Sequence, residues 1–414
     1  MTVHRADDPR GREDGLGWVS RAIFGDPRLW LGLSTGPSPL PSGHRVAARY
    51  AVVPSVERAK FLLPLASRRV GAASTLAYNA LRPPRVRANR LAVGALAGLG
   101  ATGLARMPVL TVAVPDGVDP AELLLAEHLG RSAGRRLHAA IGVRPPDPHH
   151  KPTLQLFDDR GAPRGYAKIG WNDATRAMVA AEAAALRELP RDGGDFPDVP
   201  RLERELRWVD LAVTLVAPMP PRVRRLPRPE RPRVAAMLAV ARRGGPPAAP
   251  RPLAGSPFLA DLAARAQRAG GPVRDAVAAL ARRDGAVALE FGHWHGDWVP
   301  WNLGVHRGRL TVWDWENSGA HRPVGFDLAH QGFQSALSLR DRPVPAATAE
   351  MVEVLGRHGG AFGLDATRRR LVADAYLVEL WLRTAELAAG GGGWSRRLHP
   401  ALLDVLAERL PPSS

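Results

Sequence analysis

The order in which the hydrophobic period changes along the chain constrains its fold more than any other feature. Apolar residues at 109–114, 137–143, 154–157 and 166–171 fall in short runs of strand character, enough for an antiparallel sheet. Between the last two runs, Asp158-Asp-Arg-Gly-Ala-Pro is a hairpin signal, because Asp and Gly tolerate tight-turn conformations. A helix capped by Asn172 or Asp173 is predicted to run to about Leu189. One more strand, 211–216, ends at Ala217-Pro-Met219-Pro-Pro. After that a Pro/Arg-rich connector carries a single helix at 234–242. Helical segments follow near 256–269, 272–283, 343–357, 366–388 and 399–410, interrupted at 287–318 by short strands and loops. Upstream, residues 54–100 read as helical, with Phe61, Leu62 and Leu65 followed by Ala73, Leu76, Ala77 and Leu81, and carry no recognisable chemistry. Residues 1–35 read as a flexible leader, and no internal repeat is present. The order is α+β: sheet with one helix, hinge, helical lobe.

Composition excludes several classes. With 414 residues, 45% of them hydrophobic, the chain can bury a large core and make two or three domain-sized units. Its 42 Gly and 39 Pro lack the Gly-X-Y period of collagen. The absence of Cys removes disulfides, thiolate catalysis and Cys-based zinc sites. The longest charge-free stretch of membrane-like composition, 91–105, holds four glycines and stops at Arg106, short of the ~20 apolar residues of a membrane span. The N-terminus lacks the basic-then-apolar order of a secretory signal, so a cytoplasmic location is expected. The net charge of +17 is frontal, residues 1–150 holding 20 basic against 11 acidic side chains. Such a field suits nucleic acid, anionic lipid or a phosphorylated ligand. However, 54 of the 57 basic residues are Arg, a pattern that fits GC-rich coding. Arg82, Arg85, Arg87 and Arg90, the one close cluster there, has no interleaved aromatic to stack on bases, so no specific nucleic acid is expected.

The densest chemistry lies in His293-Trp-His295-Gly-Asp297-Trp-Val-Pro-Trp-Asn302, followed by a strand and Asp314-Trp-Glu316. His293, His295 and Asp297 form H-x-H-x-D, a possible start of a metallohydrolase site, but Trp298 stands where a further His is usual. The alternative uses more of the residues: an Asp that accepts a hydroxyl proton, an Asn five positions on, and an Asp on the next strand to hold a metal. Only five Asn occur in the chain, which makes Asn302 at that offset informative. Lys168, inside a strand, and Glu182, in register with Met178, Ala185 and Leu189 on a helix, each stand where a hydrophobe is expected. Mutual pairing would offset the cost of burying them.

These motifs, with Gly325-Phe-Asp327-Leu-Ala, resemble the aminoglycoside phosphotransferase and choline kinase superfamily over about residues 135–390. The resemblance implies an α+β, bilobal, protein-kinase-like fold. A small antiparallel-sheet N-lobe (131–219, hinge 216–219) and a mainly helical C-lobe (220–414, catalytic loop 293–302, metal-binding turn 310–327) would follow an extension over 36–130. It implies an ATP- and Mg²⁺-dependent kinase with Asp297 as base and Asn302 and Asp314 as metal ligands. Lys168 would anchor phosphates with Glu182 as its partner, Ala217 and Met219 would meet adenine through their backbone, and His295 and Asp327 would hold the loop's shape. The nucleotide loop falls at 144–152, where His149, His150 and Lys151 are in reach of phosphates. Only 13 residues separate Asp314 from Asp327, with no Ala-Pro-Glu, which favours a small-molecule hydroxyl over a docked peptide. Trp294, Trp298, Trp301, Trp313 and Trp315 offer faces for a sugar ring or organic cation, Trp313 being the one expected in the core. The remaining alternatives are a non-catalytic kinase-like module with a basic, nucleic-acid- or membrane-docking N-terminal region, and the metallohydrolase.

Overall fold

In the computed structural model, residues 8–36, 39–100, 107–147, 149–190, 194–243, 245–390 and 398–411 are described. The chain is α+β and divides into two compact units, residues 1–179 with 201–223, and residues 180–200 with 224–414.

The first unit is built on a nine-stranded sheet in which every neighbouring pair is antiparallel. Its strands are β1 (Trp30–Ser34), β2 (His44–Val53), β3 (Phe61–Pro64), β4 (Val109–Pro115), β5 (His138–Gly142), β6 (Thr153–Phe157), β7 (Pro163–Gly170), β8 (Leu202–Trp208) and β9 (Leu211–Val216). They lie in the order β1-β4-β2-β3-β5-β6-β7-β9-β8. Alternation along the strands separates two apolar faces. Leu154, Leu156, Ala167, Ile169 and Val213 join one core with helices α1 (Gly15–Ile23), α4 (Pro120–Leu123) and α5 (Leu125–Ser132). On the other face, Ala140 and Phe157 receive Val70 of α2 (Arg68–Leu76), and Ala51 and Leu63 receive Ala97 of α3 (Pro84–Leu99). Lys168, paired in register with Thr153 and Thr214, lies on the same side of β7 as Tyr166.

Three expectations are corrected here. Residues 8–35 are not a flexible leader: Asp14 caps α1, its carboxylate accepting from Gly17 N–H at 3.0 Å, and Leu16, Val19 and Ile23 are buried. Residues 1–7 of that leader lie outside the described residues. The segment 54–100 is not helical throughout, because Phe61–Pro64 pairs with β2 and β5 as a strand. The sheet is also larger than expected, since β1, β2 and β3 of the presumed extension, and β8, join it.

Helix α6 (Asp173–Glu188) runs on from the first unit into the second. Small paired strands β10 (Arg224–Arg225), β11 (Arg251–Pro252), β12 (Ala288–Leu289), β13 (Phe291–Trp294), β14 (Leu303–His306), β15 (Arg309–Val312) and β16 (Gly319–Pro323) accompany the second unit's helices. These helices are α7 (Val234–Arg242), α8 (Pro257–Ala269), α9 (Gly271–Asp284), α10 (Phe326–Gln334), α11 (Val344–His358), α12 (Ala366–Ala389) and α13 (His399–Arg409). α12 is the spine, buried without a break from Leu371 to Leu382. Among the described residues no helix is long and apolar enough to cross a membrane.

Candidate active site

β13 delivers its last residues into a loop whose shape is fixed by backbone bonds. The Asp327 carboxylate, in the first turn of α10, accepts the N–H of His295 at 2.8 Å and of Gly296 at 3.1 Å. Gly296 has φ of 79°, and a Cβ there would run into the carbonyl of Asn317, so only glycine makes this turn. Arg383 of α12 donates to Gly296 O at 2.6 Å while lying over the Trp294 ring. Burial pushes the Asp327 carboxyl up to about 7, against the two backbone donors that favour its charged form.

His295 is fully buried and spends both ring nitrogens on the backbone. Nδ1 accepts from Asp297 N–H at 3.2 Å, which leaves Nε2–H to donate to Trp313 O at 3.1 Å. Burial holds its pKa down to about 4, so the ring is neutral. With neither nitrogen available, H-x-H-x-D does not form a metal triad, and the metallohydrolase expectation is corrected on that ground. His295 instead ties the loop to Trp313, just past the end of β15.

Asp297 is the one carboxylate this loop presents, its side chain 31% exposed. Asn302 donates through Nδ2 to Asp297 Oδ2 at 2.8 Å and to its backbone carbonyl at 3.1 Å. Oδ1 lies 3.1 Å from His330 Nε2, and the far nitrogen of that ring, Nδ1, lies 3.1 Å from the Tyr376 hydroxyl. A Tyr376 O–H directed at Nδ1 sets the tautomer in which Nε2–H faces the carboxylate. Burial by itself raises the Asp297 carboxyl, but His330 and Arg383 more than offset it, and the net shift is below 3.8. His330 was not foreseen from sequence. Its signal was present in the helix period: in Phe326-Asp-Leu-Ala-His330, His330 sits three residues after Asp327, hence on the same helix face.

Asp314 follows β15 in a left-handed conformation, φ 64°. Its carboxylate, that of Glu316 and that of Glu182 on α6 lie within 4.8 Å of one another. The chain between α6 and the catalytic loop helps to hold this geometry. Asp198 bridges β15 through backbone bonds with Leu310 and Val312, and its carboxylate pairs with Arg309 at 2.7 Å. Three hard oxygen donors at this spacing fit Mg²⁺, which takes carboxylates and water rather than nitrogen or sulfur. Glu182 and Glu316 as members of this set are additions to the expected ligands. Asn302, 3% exposed, has its amide nitrogen committed to Asp297.

In the first unit, Lys168 is 9% exposed on β7. Both expected hinge groups are engaged: Ala217 N–H donates to Arg201 O at 2.7 Å, and Met219 O accepts the Tyr78 hydroxyl at 2.8 Å. The ring of His150 packs on Trp18 at 5.2 Å between centroids, directing it to the core rather than to a phosphate. Of the five clustered tryptophans, Trp294, Trp298 and Trp315 are core. Trp313 is half-buried past the end of β15, contrary to expectation, and Trp301 is 48% exposed.

Solved structures that resemble the chain include a thermostable mutant of aminoglycoside phosphotransferase APH(4)-Ia in ternary complex with ADP and hygromycin B. It is 13% identical, covering 70% of this chain and 99% of that one, with a TM-score of 0.47. A glucosamine kinase in complex with glucosamine, ADP and inorganic phosphate is 16% identical, covering 92% and 94%, with a TM-score of 0.28. No family model and no curated protein matches.

Proposed function

We propose that the chain is a phosphotransferase that moves the γ-phosphoryl group of ATP, with Mg²⁺, to a hydroxyl of a small molecule in the cytoplasm. The observation that carries this reading is the Asp297 carboxylate, held at Oδ1 by His330 and at Oδ2 by Asn302, with one face open to a reactant. Such a group orients a substrate hydroxyl and takes its proton as the oxygen bonds to phosphorus and the bond from phosphorus to the β–γ bridging oxygen breaks. Glu182, Asp314 and Glu316, with the Asn302 side-chain oxygen, would hold the metal. Bound there, Mg²⁺ supplies positive charge to the phosphate oxygens. Lys168 would anchor the phosphates, with Glu182 as its counter-charge, and Ala217 and Met219 would meet adenine through their backbone, with Tyr78 a competitor for the Met219 carbonyl.

The acceptor is a sugar, an amino alcohol or an aminoglycoside. Trp301 and Trp313 are the cluster's two rings with surface to give it. The segment after Asp314 is spent on a short 3₁₀ turn and on β16, leaving no loop for a peptide substrate.

Calorimetry with MgATP and a transfer screen over those acceptors test the reading. Asp297→Asn is expected to keep ATP binding and lose transfer by at least about a hundredfold. Asp314→Ala is expected to lose the metal-dependent part of ATP affinity. Nucleotide binding without transfer to any acceptor would favour the non-catalytic module, which the Tyr78 bond to the hinge carbonyl also suits. No nucleotide binding at all would remove both.

A further inference from the structure

The stretch between Glu57 and Asp116 holds nine basic residues and no acidic one. That is the whole frontal excess of charge, and none of it belongs to the candidate active site. It covers α2 and α3, which meet through small residues. A Cβ on Gly94 would press on Leu76, and ideal Cβ positions on Gly71 and Gly98 lie against Ala97 and Ala72. One face of α3, with Val93, Gly94 and Ala97, is thereby turned to α2 and the sheet.

The opposite face of α3 is Ala88, Leu91, Ala92, Ala95 and Leu99, spaced three and four apart, and all five are exposed. It carries no charge. Leu91 is 54% and Leu99 73% exposed, and four of the nine exposed large hydrophobics among the described residues, Leu76, Val86, Leu91 and Leu99, fall within 76–99. A helix apolar on both faces is ordinarily covered on both. Around the N-terminal end of this uncovered stripe stand exposed Arg82, Arg85 and Arg87. Arg90 is not part of this set: its guanidinium bonds Ala77 O at 3.2 Å and lies over Phe61.

We propose that α3 docks on an anionic lipid surface, its Ala/Leu stripe entering the headgroup boundary and Arg82, Arg85 and Arg87 meeting lipid phosphates. Charge complementarity selects this occupant. A second copy would bring an equally basic, acid-free face against it. Nucleic acid would use the arginines but has nothing to cover two leucines, and the segment's aromatics do not lie on this stripe. A short apolar face and a basic cluster are each marginal anchors and together give reversible attachment.

The test is co-sedimentation of the full chain with vesicles of phosphatidylcholine alone or mixed with phosphatidylglycerol, at low and high salt, with light scattering on the free protein. Binding is expected to the mixed vesicles only and to weaken with salt. Leu91→Gln/Leu99→Gln and Arg82→Ala/Arg85→Ala/Arg87→Ala are each expected to lower partitioning about tenfold, with melting temperature and MgATP binding unchanged because every altered side chain is exposed. Absence of sedimentation at low salt would overturn the proposal. So would undiminished binding by the leucine variant, which would mean a charge-only contact with any polyanion. A native chain that is dimeric and becomes monomeric in the leucine variant would assign the stripe to a second copy instead.

Discussion

At the scale of single residues, the decisive arrangement is a line of three side chains, Tyr376, His330 and Asp297, ending on the carboxylate proposed as the base. If Asp297 serves the proposed transfer, its depressed carboxyl is expected to place the acid limb of turnover below the ordinary value near 4, because a base must be ionised to accept a proton. The same depression links to stability. Its contribution is present above the unfolded-state value and is lost as pH falls through the folded one. His330→Ala is expected to lower kcat by about tenfold to a hundredfold with KM for ATP little changed, and to move the acid limb upward. His330→Gln, which restores a donor near Nε2, is expected to recover part of both effects, and Tyr376→Phe to show a smaller shift in the same direction. The measurement is a pH profile of phosphoryl transfer, or of phosphate release to water if no acceptor is found. Variants that lose folded protein yet leave the limb in place would make His330 a packing residue only.

At the scale of elements, the α2–α3 hairpin reaches the hinge segment through one side chain. Tyr78, itself in a left-handed turn just after α2, packs its ring tilted against Tyr166 at 5.9 Å between centroids and donates to Met219 O. Tyr166 stands two residues before Lys168 on the same side of β7, so the hairpin lies over the face of the sheet that carries Lys168. In the proposed reading this phenol competes with adenine for the carbonyl. Since one hydrogen bond is worth about 0.5–1.5 kcal/mol, Tyr78→Phe is expected to tighten MgATP binding roughly twofold to tenfold in calorimetry. Weaker binding in that variant would show that Tyr78 shapes the site instead of competing for it.

On the scale of the whole molecule, the arginine bias has structural consequences. In the second unit arginines clamp helices through carboxylates, most of them buried: Arg265 of α8 reaches buried Glu379 and half-exposed Glu386 of α12, both at 2.8 Å. Asp284 of α9 takes Arg283 and Arg370, while Asp374 of α12 takes Arg283 and Arg409, so α9, α12 and α13 share one network. Guanidinium serves here better than ammonium because its planar fork satisfies two carboxylates at once. Asp374→Ala strands Arg409 and leaves Arg283 with Asp284 alone, and is expected to cost about 3 kcal/mol in denaturant unfolding of the second unit. That is the low end for a broken buried pair, because both arginines keep some exposure.

What the sequence by itself determined is what short range controls. Asp297, Asn302 and Asp314 lie within 18 residues, and a loop followed by a two-stranded turn brings them to one place whatever surrounds them. Strands β4, β5, β6, β7 and β9 and, in the second unit, helices α7, α8, α9, α11, α12 and α13 were likewise legible, because their periodicity is a local property of the backbone. β2 and β8 were not read because their exposed faces carry charge: His44–Val53 holds Arg45 and Arg49, and Leu202–Trp208 alternates Glu and Arg. Only the tertiary structure decided the partners that come from far along the chain. His330 and Tyr376 stand 46 residues apart and meet because α10 packs on α12, and Tyr78 meets Met219 across 141 residues because a helical hairpin folds back on the sheet. No pattern in either segment encodes such a meeting. It follows from which apolar faces cover one another, and that is settled only when the core closes.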